Sequence, residues 1–442
     1  MAKKNIEKIL KILARAVLKK QVPQIVSITG SIGKTSTKEA IYFVLRKKFR
    51  VRRNTKNYNN EIGVPLTILG EVSPGKSILG WLKVFLKFFN LIIFKKKNYP
   101  GILILETAAD KPGDLKYLME IFPSGLLRVA VLTAVAPVHL QGFASQKRVK
   151  MKSKISSRIE FFGGLDNIFK EKIIPFSFLK KDGFAIVNKD NCDFEKMNLA
   201  SRFITYGIEK DSDLMARDIK VDRQGLRFDF TYQERHFHFS LKGGTSSHQI
   251  YSLLAAVSVG LCYGMGIEQA SLGLRDYEVL AGRMHQLKGL NNSIIIDDTY
   301  NSSPQAVKKG LRSLADLPFG ERKIAVLGAM LELGEESDNF HRLVGGLAAK
   351  EKEIDYLITL GDKGKIISEG ALGGNMSREK VFNFETLKEI SDFLKGFIQK
   401  DDVLLVKGSQ GTRMEKIVQE IILEPEKAKD LLVRQGEEWQ DK

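Results

Sequence analysis

The segment Gly30-Ser-Ile-Gly-Lys-Thr-Ser36 has the composition of a phosphate cradle. Gly30 and Gly33 let backbone N–H groups, that of Ser31 among them, close round a triphosphate. Lys34 reaches its β and γ phosphates, and the Thr35 hydroxyl, followed by Ser36, can ligate Mg²⁺. The loop is shorter than the usual GxxxxGK[ST], because Thr29 stands where that pattern has its first glycine. Two more polar residues close apolar runs. Glu106 ends Gly101-Ile-Leu-Ile-Leu-Glu106, and His139 follows Arg128-Val-Ala-Val-Leu-Thr133. A carboxylate and an imidazole at adjacent strand ends suit a Mg²⁺ shell beside a γ-phosphate. The plain alternative is a capping Glu and an ordinary loop His. His236 and His238 share one strand face without a third ligand nearby, so an exposed polar face is the better reading.

These residues need strands to carry them. Ile25-Val-Ser-Ile28 is a β-branched run entering the glycine loop, and a helical stretch from about Lys38 to Lys48 follows it. With the runs ending at Glu106 and Thr133 this makes parallel βαβ units, whose carboxyl edges bind ligands. Between Gly225 and Leu241 the pattern changes to period two, an antiparallel hairpin turning at Gln233-Glu-Arg and read as an accessory sheet. From Ser293 five βα repeats return, at 293–297, 323–328, 356–361, 380–384 and 402–407, and predict a separate doubly wound domain. The expected domains are a basic amphipathic helix over 1–22, a central domain over 23–281 and a C-terminal domain over 282–442. The tail after about Glu424 reads as a frayed helix.

A chain of 442 residues is too long for one core. Its 43% apolar content excludes a mainly disordered protein. The net charge of +18 is concentrated in three stretches, Lys3–Lys20, Arg46–Lys56 and Lys147–Arg158, and the remainder is near neutral. No nucleic-acid module accompanies that charge, so no nucleic-acid partner is expected. Two cysteines, Cys192 and Cys262, make neither a disulfide framework nor a zinc site, and a cytoplasmic location is expected. The first 20 residues hold no uninterrupted apolar core of secretory length. They read as a helix with Ile6, Ile9, Leu10, Leu13 and Val17 on one face, docked on the chain or, as the second reading, on a membrane surface. The same two readings apply to GWLKVFLKFFNLIIFKKK, where Trp81, Phe85, Phe88, Phe89 and Ile92 follow helical spacing and Lys83 and Lys87 interrupt a span.

The loop Gly30 to Ser36, the block Asn57-Tyr-Asn-Asn-Glu-Ile-Gly-Val-Pro-Leu-Thr-Ile-Leu69, Asp297-Asp-Thr-Tyr-Asn-Ser-Ser-Pro304, Leu327-Gly-Ala-Met-Leu-Glu-Leu-Gly-Glu335 and Val406-Lys-Gly-Ser409 together resemble the Mur ligase family. The pattern is nearest to the branch that joins D-alanyl-D-alanine to a UDP-linked muramoyl tripeptide. The resemblance implies an α/β fold: a P-loop-type central ATPase domain with a parallel sheet plus a small antiparallel sheet, followed by a Rossmann-like C-terminal domain. It implies ATP and Mg²⁺ as cofactors, with Lys34, Glu106, His139 and Lys172 as catalytic groups. Thr35, Glu106, His139 and a carbamylated Lys172 would hold metal, Lys170 being the weaker candidate for that lysine. His248 and Gln249 would face adenine, Arg283 the nucleotide phosphates on domain closure, and Asp298 the ribose. Asn59, Asn60, Asn301, Lys407 and Ser409 would line the substrates.

The implied chemistry is carboxyl activation as an acyl phosphate, then attack by an amine, with small-molecule substrates; a monomer is expected, and peripheral membrane contact through the basic segments is a further expectation. The chain departs from the family pattern in five places. Only about 22 residues precede the first strand, where the family carries a UDP-sugar domain; a basic insertion of about 18 residues follows Leu140. Ser252 stands where a second Asn is usual and Ala329 where an Asp is common, and Thr107-Ala108 replaces Met-Gly. These leave two other expectations open: a related ligase acting on a lipid-linked or polymeric acceptor, and a catalytically impaired nucleotide-binding regulator.

Overall fold

The computed structural model describes residues 2–55, 58–135, 160–192, 197, 202–436 and 439. His139 and the basic stretch 141–158 lie outside the described residues. The chain divides into two compact units, one of residues 1–217, 229–239 and 248–277, the other of 218–228, 240–247 and 278–442.

The first unit opens with α1 (Ala2–Gln21), β1 (Gln24–Thr29), α2 (Lys34–Leu45), β2 (Val51–Arg53), α3 (Gly63–Leu69), α4 (Ile78–Ile93), β3 (Ile102–Glu106), α5 (Asp114–Met119) and β4 (Leu127–Leu132). Then come α6 (Glu160–Lys172), β5 (Phe184–Asn188), β6 (Arg202–Gly207) and α7 (Ser247–Cys262), while β7 (Leu214–Asp222), β8 (Gly225–Tyr232) and β9 (Arg235–Lys242) have residues in both units. Nine strands form one sheet in the order β2-β3-β1-β4-β5-β6-β7-β8-β9. From β2 to β7 every pair is parallel. The period-two strands β8 and β9 continue the sheet past β7 through two-residue connections, which join only antiparallel neighbours. β3 and all of β1 but its first residue are buried, which is why both read as unbroken apolar runs.

α1 docks on this unit through Leu10, Ala14, Val17 and Leu18, in the same cluster as Val64, Val84, Phe88 and Leu103. Ile9, expected on the docked face, is 45% exposed. In α4 the expected face largely holds: Phe88 is buried beside Val84 and Leu91, Trp81 and Ile92 pack against the same cluster, and Phe85 is half-buried. Phe89 alone of the expected five turns outward, at 56% exposure. Among the described residues no helix is long and apolar enough to cross a membrane.

The second unit carries β10 (His285–Lys288), β11 (Ile294–Asp298), α8 (Pro304–Ala315), β12 (Lys323–Leu327), α9 (Ser337–Lys350), β13 (Tyr356–Leu360), α10 (Gly361–Gly373), β14 (Val381–Phe384), α11 (Leu387–Phe397), β15 (Val403–Lys407) and α12 (Glu415–Ile421). Its sheet runs β10-β11-β15-β12-β13-β14, parallel except for β10. Strand residues alternate between two cores. Ile294, Ile296, Ala325, Leu327 and Leu405 face one; Ile295, Ile324, Val326, Leu404 and Val406 face the other.

The C-terminal tail is packed rather than frayed. Ala428 and Leu432 are buried in the second of these cores. Arg434 is held by Glu415 at 2.7 Å, and Glu415 also takes Arg413 at 2.5 Å. Arg434 reaches the carbonyls of Thr299 at 2.5 Å and Tyr300 at 3.1 Å. A charged tail reads as solvated until its partner, here a fully buried glutamate, is known. Glu415→Ala leaves two buried guanidinium groups without their carboxylate. It should destabilise this unit by about 3–5 kcal/mol, read as a lowered urea midpoint; a midpoint equal to that of the parent would show the network to be idle.

Candidate active site

β1 delivers the phosphate loop, and its conformation depends on glycine at two positions. Gly30 has φ 140° and Gly33, capping α2, has φ 86°. A Cβ on Gly30 would meet Thr133 Oγ1 at 2.1 Å, because the chain leaving β4 wraps the loop. Ser31 N donates to Ala134 O at 2.7 Å, and Thr133 Oγ1 donates to Ile32 O at 2.6 Å. Lys34 Nζ lies across the loop, donating to Gly30 O at 2.9 Å and Ser31 O at 3.3 Å. The first amides of α2, its dipole and Lys34 together make a site for anionic oxygens.

Glu106 ends β3 beside β1, paired in register with Ile28. Asn54 frames it from both sides: its Oδ1 accepts from Glu106 N at 2.9 Å, and its Nδ2 donates to Glu106 O at 3.0 Å. Asn59 Nδ2 donates to Glu106 Oε1 at 3.0 Å. Oε2 accepts no hydrogen bond among the described residues; Lys38 Nζ stands 4.0 Å away. Lys38 is itself buried, donating to Asn54 O at 2.7 Å and lying 3.2 Å from Glu39 Oε1. Lys38 and Asn54 were not singled out in the sequence. Asn54 belongs to no motif, and Lys38 reads as an ordinary helix cation until its burial is seen. Asn60 caps α3, accepting from Gly63 N at 2.9 Å and Ile62 N at 3.2 Å.

Lys172, at the end of α6, is 2% exposed and donates to Ala109 O at 3.1 Å. Burial, and after it the charge of Lys34, push its amine down to about 7. The lysine of the loop and the lysine of α6 therefore feel one another. Lys170 points to solvent. Next door, Glu171 caps α5, accepting from Leu115 N at 2.9 Å and Gly113 N at 3.0 Å.

α7 runs beside α2, where Ser252 Oγ accepts from Thr37 Oγ1 at 3.2 Å. On its first turn, next to Gln249, the His248 ring stacks on Tyr251 with centroids 6.2 Å apart. Tyr251 donates to Asp190 Oδ2 at 2.9 Å. Burial opposes ionisation of Asp190, yet the amides of Ile208, Glu209 and Lys210 with Tyr251 hold its carboxyl below the usual range. Asp190 and Tyr251 were also not singled out, since a single Asp after a strand carries no pattern.

Within the second unit, the carboxyl ends of β11 and β15 gather four of the expected residues. Lys407 Nζ meets Asp298 Oδ2 at 2.6 Å and donates to Asn301 O at 2.9 Å. Ser409 Oγ accepts from Leu331 N at 2.9 Å. Arg283 lies over the Tyr300 ring at 4.0 Å. Asp297, fully buried, accepts from Gly282 N at 2.8 Å and Thr299 Oγ1 at 2.6 Å; burial pushes its carboxyl up to about 6.

The donor set in the first unit suits a divalent cation. It offers the Thr35 hydroxyl and a buried carboxylate with one oxygen free of hydrogen bonds. Thr29 Oγ1, at the start of the loop, is buried with no hydrogen-bond partner among the described residues. His139 lies outside the described residues, and no cluster of three acidic, Cys or His side chains occurs among those described.

Two family models match the chain. The Mur ligase middle domain covers residues 28–78 and 156–260, and the Mur ligase glutamate ligase domain covers 282–410. A UDP-N-acetylmuramoyl-tripeptide-D-alanyl-D-alanine ligase of Bacillus subtilis is 27% identical over 413 residues, 93% of this chain and 79% of the relative. The enzyme of that name in Escherichia coli is 28% identical over 91% of this chain and 78% of its own. Among solved structures, the MurF ligase of Thermotoga maritima in complex with ADP matches with a TM-score of 0.70 and 25% identity, over 94% of this chain and 83% of that one. The first model takes in the phosphate loop and the second most of the later α/β unit, in that order along the chain, and the chain belongs to the Mur ligase family.

Proposed function

We propose that this chain is an ATP-dependent ligase that joins D-alanyl-D-alanine to the terminal carboxyl of a UDP-linked muramoyl tripeptide, a step in making peptidoglycan precursor. The observation that carries this reading is the convergence of the Gly30–Ser36 loop, Glu106 and Lys172 within one unit, in a chain similar to such ligases along nine-tenths of its length. A carboxylate resists attack by an amine because oxide is a hopeless leaving group. Transfer of the γ-phosphoryl of ATP to the carboxylate gives an acyl phosphate and ADP. The amine of D-alanyl-D-alanine then forms the amide bond, and phosphate departs with the C–O electron pair.

The residues supply position and charge. Loop amides and Lys34 hold the β and γ phosphates and offset the charge spread over the transferring group. Thr35 and Glu106, with Lys172 as its carbamate and His139, would hold Mg²⁺, which supplies electrophilic polarisation of the phosphoryl oxygens. Asn54 fixes the Glu106 backbone and Asn59 holds Oε1 of its carboxylate, which leaves the second oxygen available. Lys172 is poised for carbamylation because a buried amine with its pKa near 7 is largely neutral at physiological pH, the form that adds CO₂. His248, Gln249 and the Tyr251–Asp190 pair border the expected adenine side. Asn301, Lys407 and Ser409 are assigned to the incoming amine.

ADP release by the purified chain should require both UDP-muramoyl tripeptide and D-alanyl-D-alanine; turnover that ignores either one would refute the assigned acceptor or amine. Lys34→Ala should lower kcat by roughly 10²–10³-fold with the melting temperature retained. Gly30→Ala forces a Cβ into Thr133 and should abolish ATP binding in calorimetry, whereas wild-type affinity in that variant would disprove the tight loop. As pH falls through about 7 the Lys172 amine takes up a proton and stops adding CO₂, so activity should drop on the acid side. Added bicarbonate should restore part of it in the parent and none in Lys172→Arg; equal rescue of both would remove the carbamate.

A further inference from the structure

The helix α4 buries one face and leaves an equally apolar face uncovered. Val84, Phe88 and Leu91 enter the core, while on the opposite side Leu79, Leu82, Leu86, Phe89 and Ile93 repeat every three or four residues. These five are 79%, 54%, 62%, 56% and 61% exposed, and Ile78 and Phe94 extend the row at 85% and 55%. A contiguous exposed stripe of this kind marks a contact surface. It falls in the stretch that the middle-domain match skips.

The charge around the stripe indicates what covers it. Between Ile62 and Leu105 the chain has six lysines, at 76, 83, 87, 95, 96 and 97, and one acid, Glu71. Glu71 lies 3.6 Å from Lys83 and 3.8 Å from Lys87, which offsets part of that flank. Both ends of the helix keep their cations. At the C-terminal end α1 adds more. Gln21 ties the two helices, its Nε2 donating to Phe94 O at 2.8 Å and its Oε1 accepting from Lys96 N at 3.0 Å. Lys19, Lys20 and the 55%-exposed Val22 are thereby brought beside Phe94, Lys95, Lys96 and Lys97.

We infer that α4, with the end of α1, is a docking surface for a bilayer of anionic phospholipid. The apolar row lies in the interfacial region parallel to the membrane plane, and the lysines at both ends meet headgroup phosphates. With six lysines and one acid along this stretch, the flanks complement a surface of dense negative charge, as anionic headgroups present. The helix is too short and too interrupted to span, so attachment is peripheral and weakened by salt.

Co-sedimentation of the full chain with phosphatidylglycerol-containing vesicles, and with pure phosphatidylcholine vesicles, tests this. Expected is salt-sensitive binding to the anionic vesicles, weakened roughly tenfold or more in Leu86→Glu/Phe89→Glu and again in Lys95→Gln/Lys96→Gln/Lys97→Gln. All these side chains lie away from the nucleotide loop, so the melting temperature and ADP release with soluble substrates should stay at parental levels. No binding by the parent, equal binding to neutral vesicles, or unchanged binding in both variants overturns the inference. So does a parental dimer in light scattering that Leu86→Glu/Phe89→Glu converts to monomer without any lipid binding, because a second copy would then be the occupant.

Discussion

A parallel strand that stops at the carboxyl edge of a sheet leaves the next few backbone N–H groups without a neighbouring strand to accept them. In this protein that deficit falls at 30–36, and the rest of the first unit is arranged round it. α2 starts there, so its unpaired amides and dipole point the same way. The end of β4 closes over the loop through Thr133 and Ala134, so tightly that Gly30 has no room for a side chain. Lys34 then spans the loop instead of extending into solvent. An anion is the natural complement of so many convergent donors.

The same concentration of positive potential explains the neighbours. Burial pushes the Lys172 amine down to about 7, and the charge of Lys34 adds to the effect. The Glu106 carboxylate is kept in a buried site by Asn59 and the more distant Lys38, while Asn54 pins the main chain that carries it. A carboxylate with a spare oxygen and an amine that is easily neutral are both unusual in a protein interior. Each makes sense where phosphates and a divalent ion share the site. The second unit handles its charges differently: Lys407 sits on Asp298, and Arg413, Glu415 and Arg434 satisfy one another. The Arg413–Glu415–Arg434 set serves as structure, tying the tail to the unit.

The outer helices show a different economy of surface. α1 and α4 cover the apolar side of the first sheet, yet α4 has more apolar residues than the sheet can bury. A helix whose only function was to close the core would carry polar residues on its far side. The lysines at its ends keep such a surface compatible with water and favour an anionic interface.

Sequence alone determined the first parallel βαβ units, the five later βα repeats, the glycine loop and the likeness to Mur ligases, because unbroken apolar runs and glycine spacing are local signals; the order of strands in each sheet came from the structure. It also indicated Glu106 and Lys172, one by its place at a strand end and the other by resemblance. What only tertiary structure decided is the set of residues whose meaning depends on what surrounds them. Lys38, Asn54, Asp190 and Tyr251 look ordinary in the chain and acquire roles through burial and long-range hydrogen bonds. The tail beyond Glu424 reads as solvated and is packed because Glu415 waits for Arg434. In α4 the helical spacing marked Trp81, Phe85, Phe88 and Ile92 on the packed side, and only packing against the core showed that Phe89 joins the face left open. Local pattern specifies secondary structure, whereas the worth of a charge or an apolar face depends on its neighbours in space.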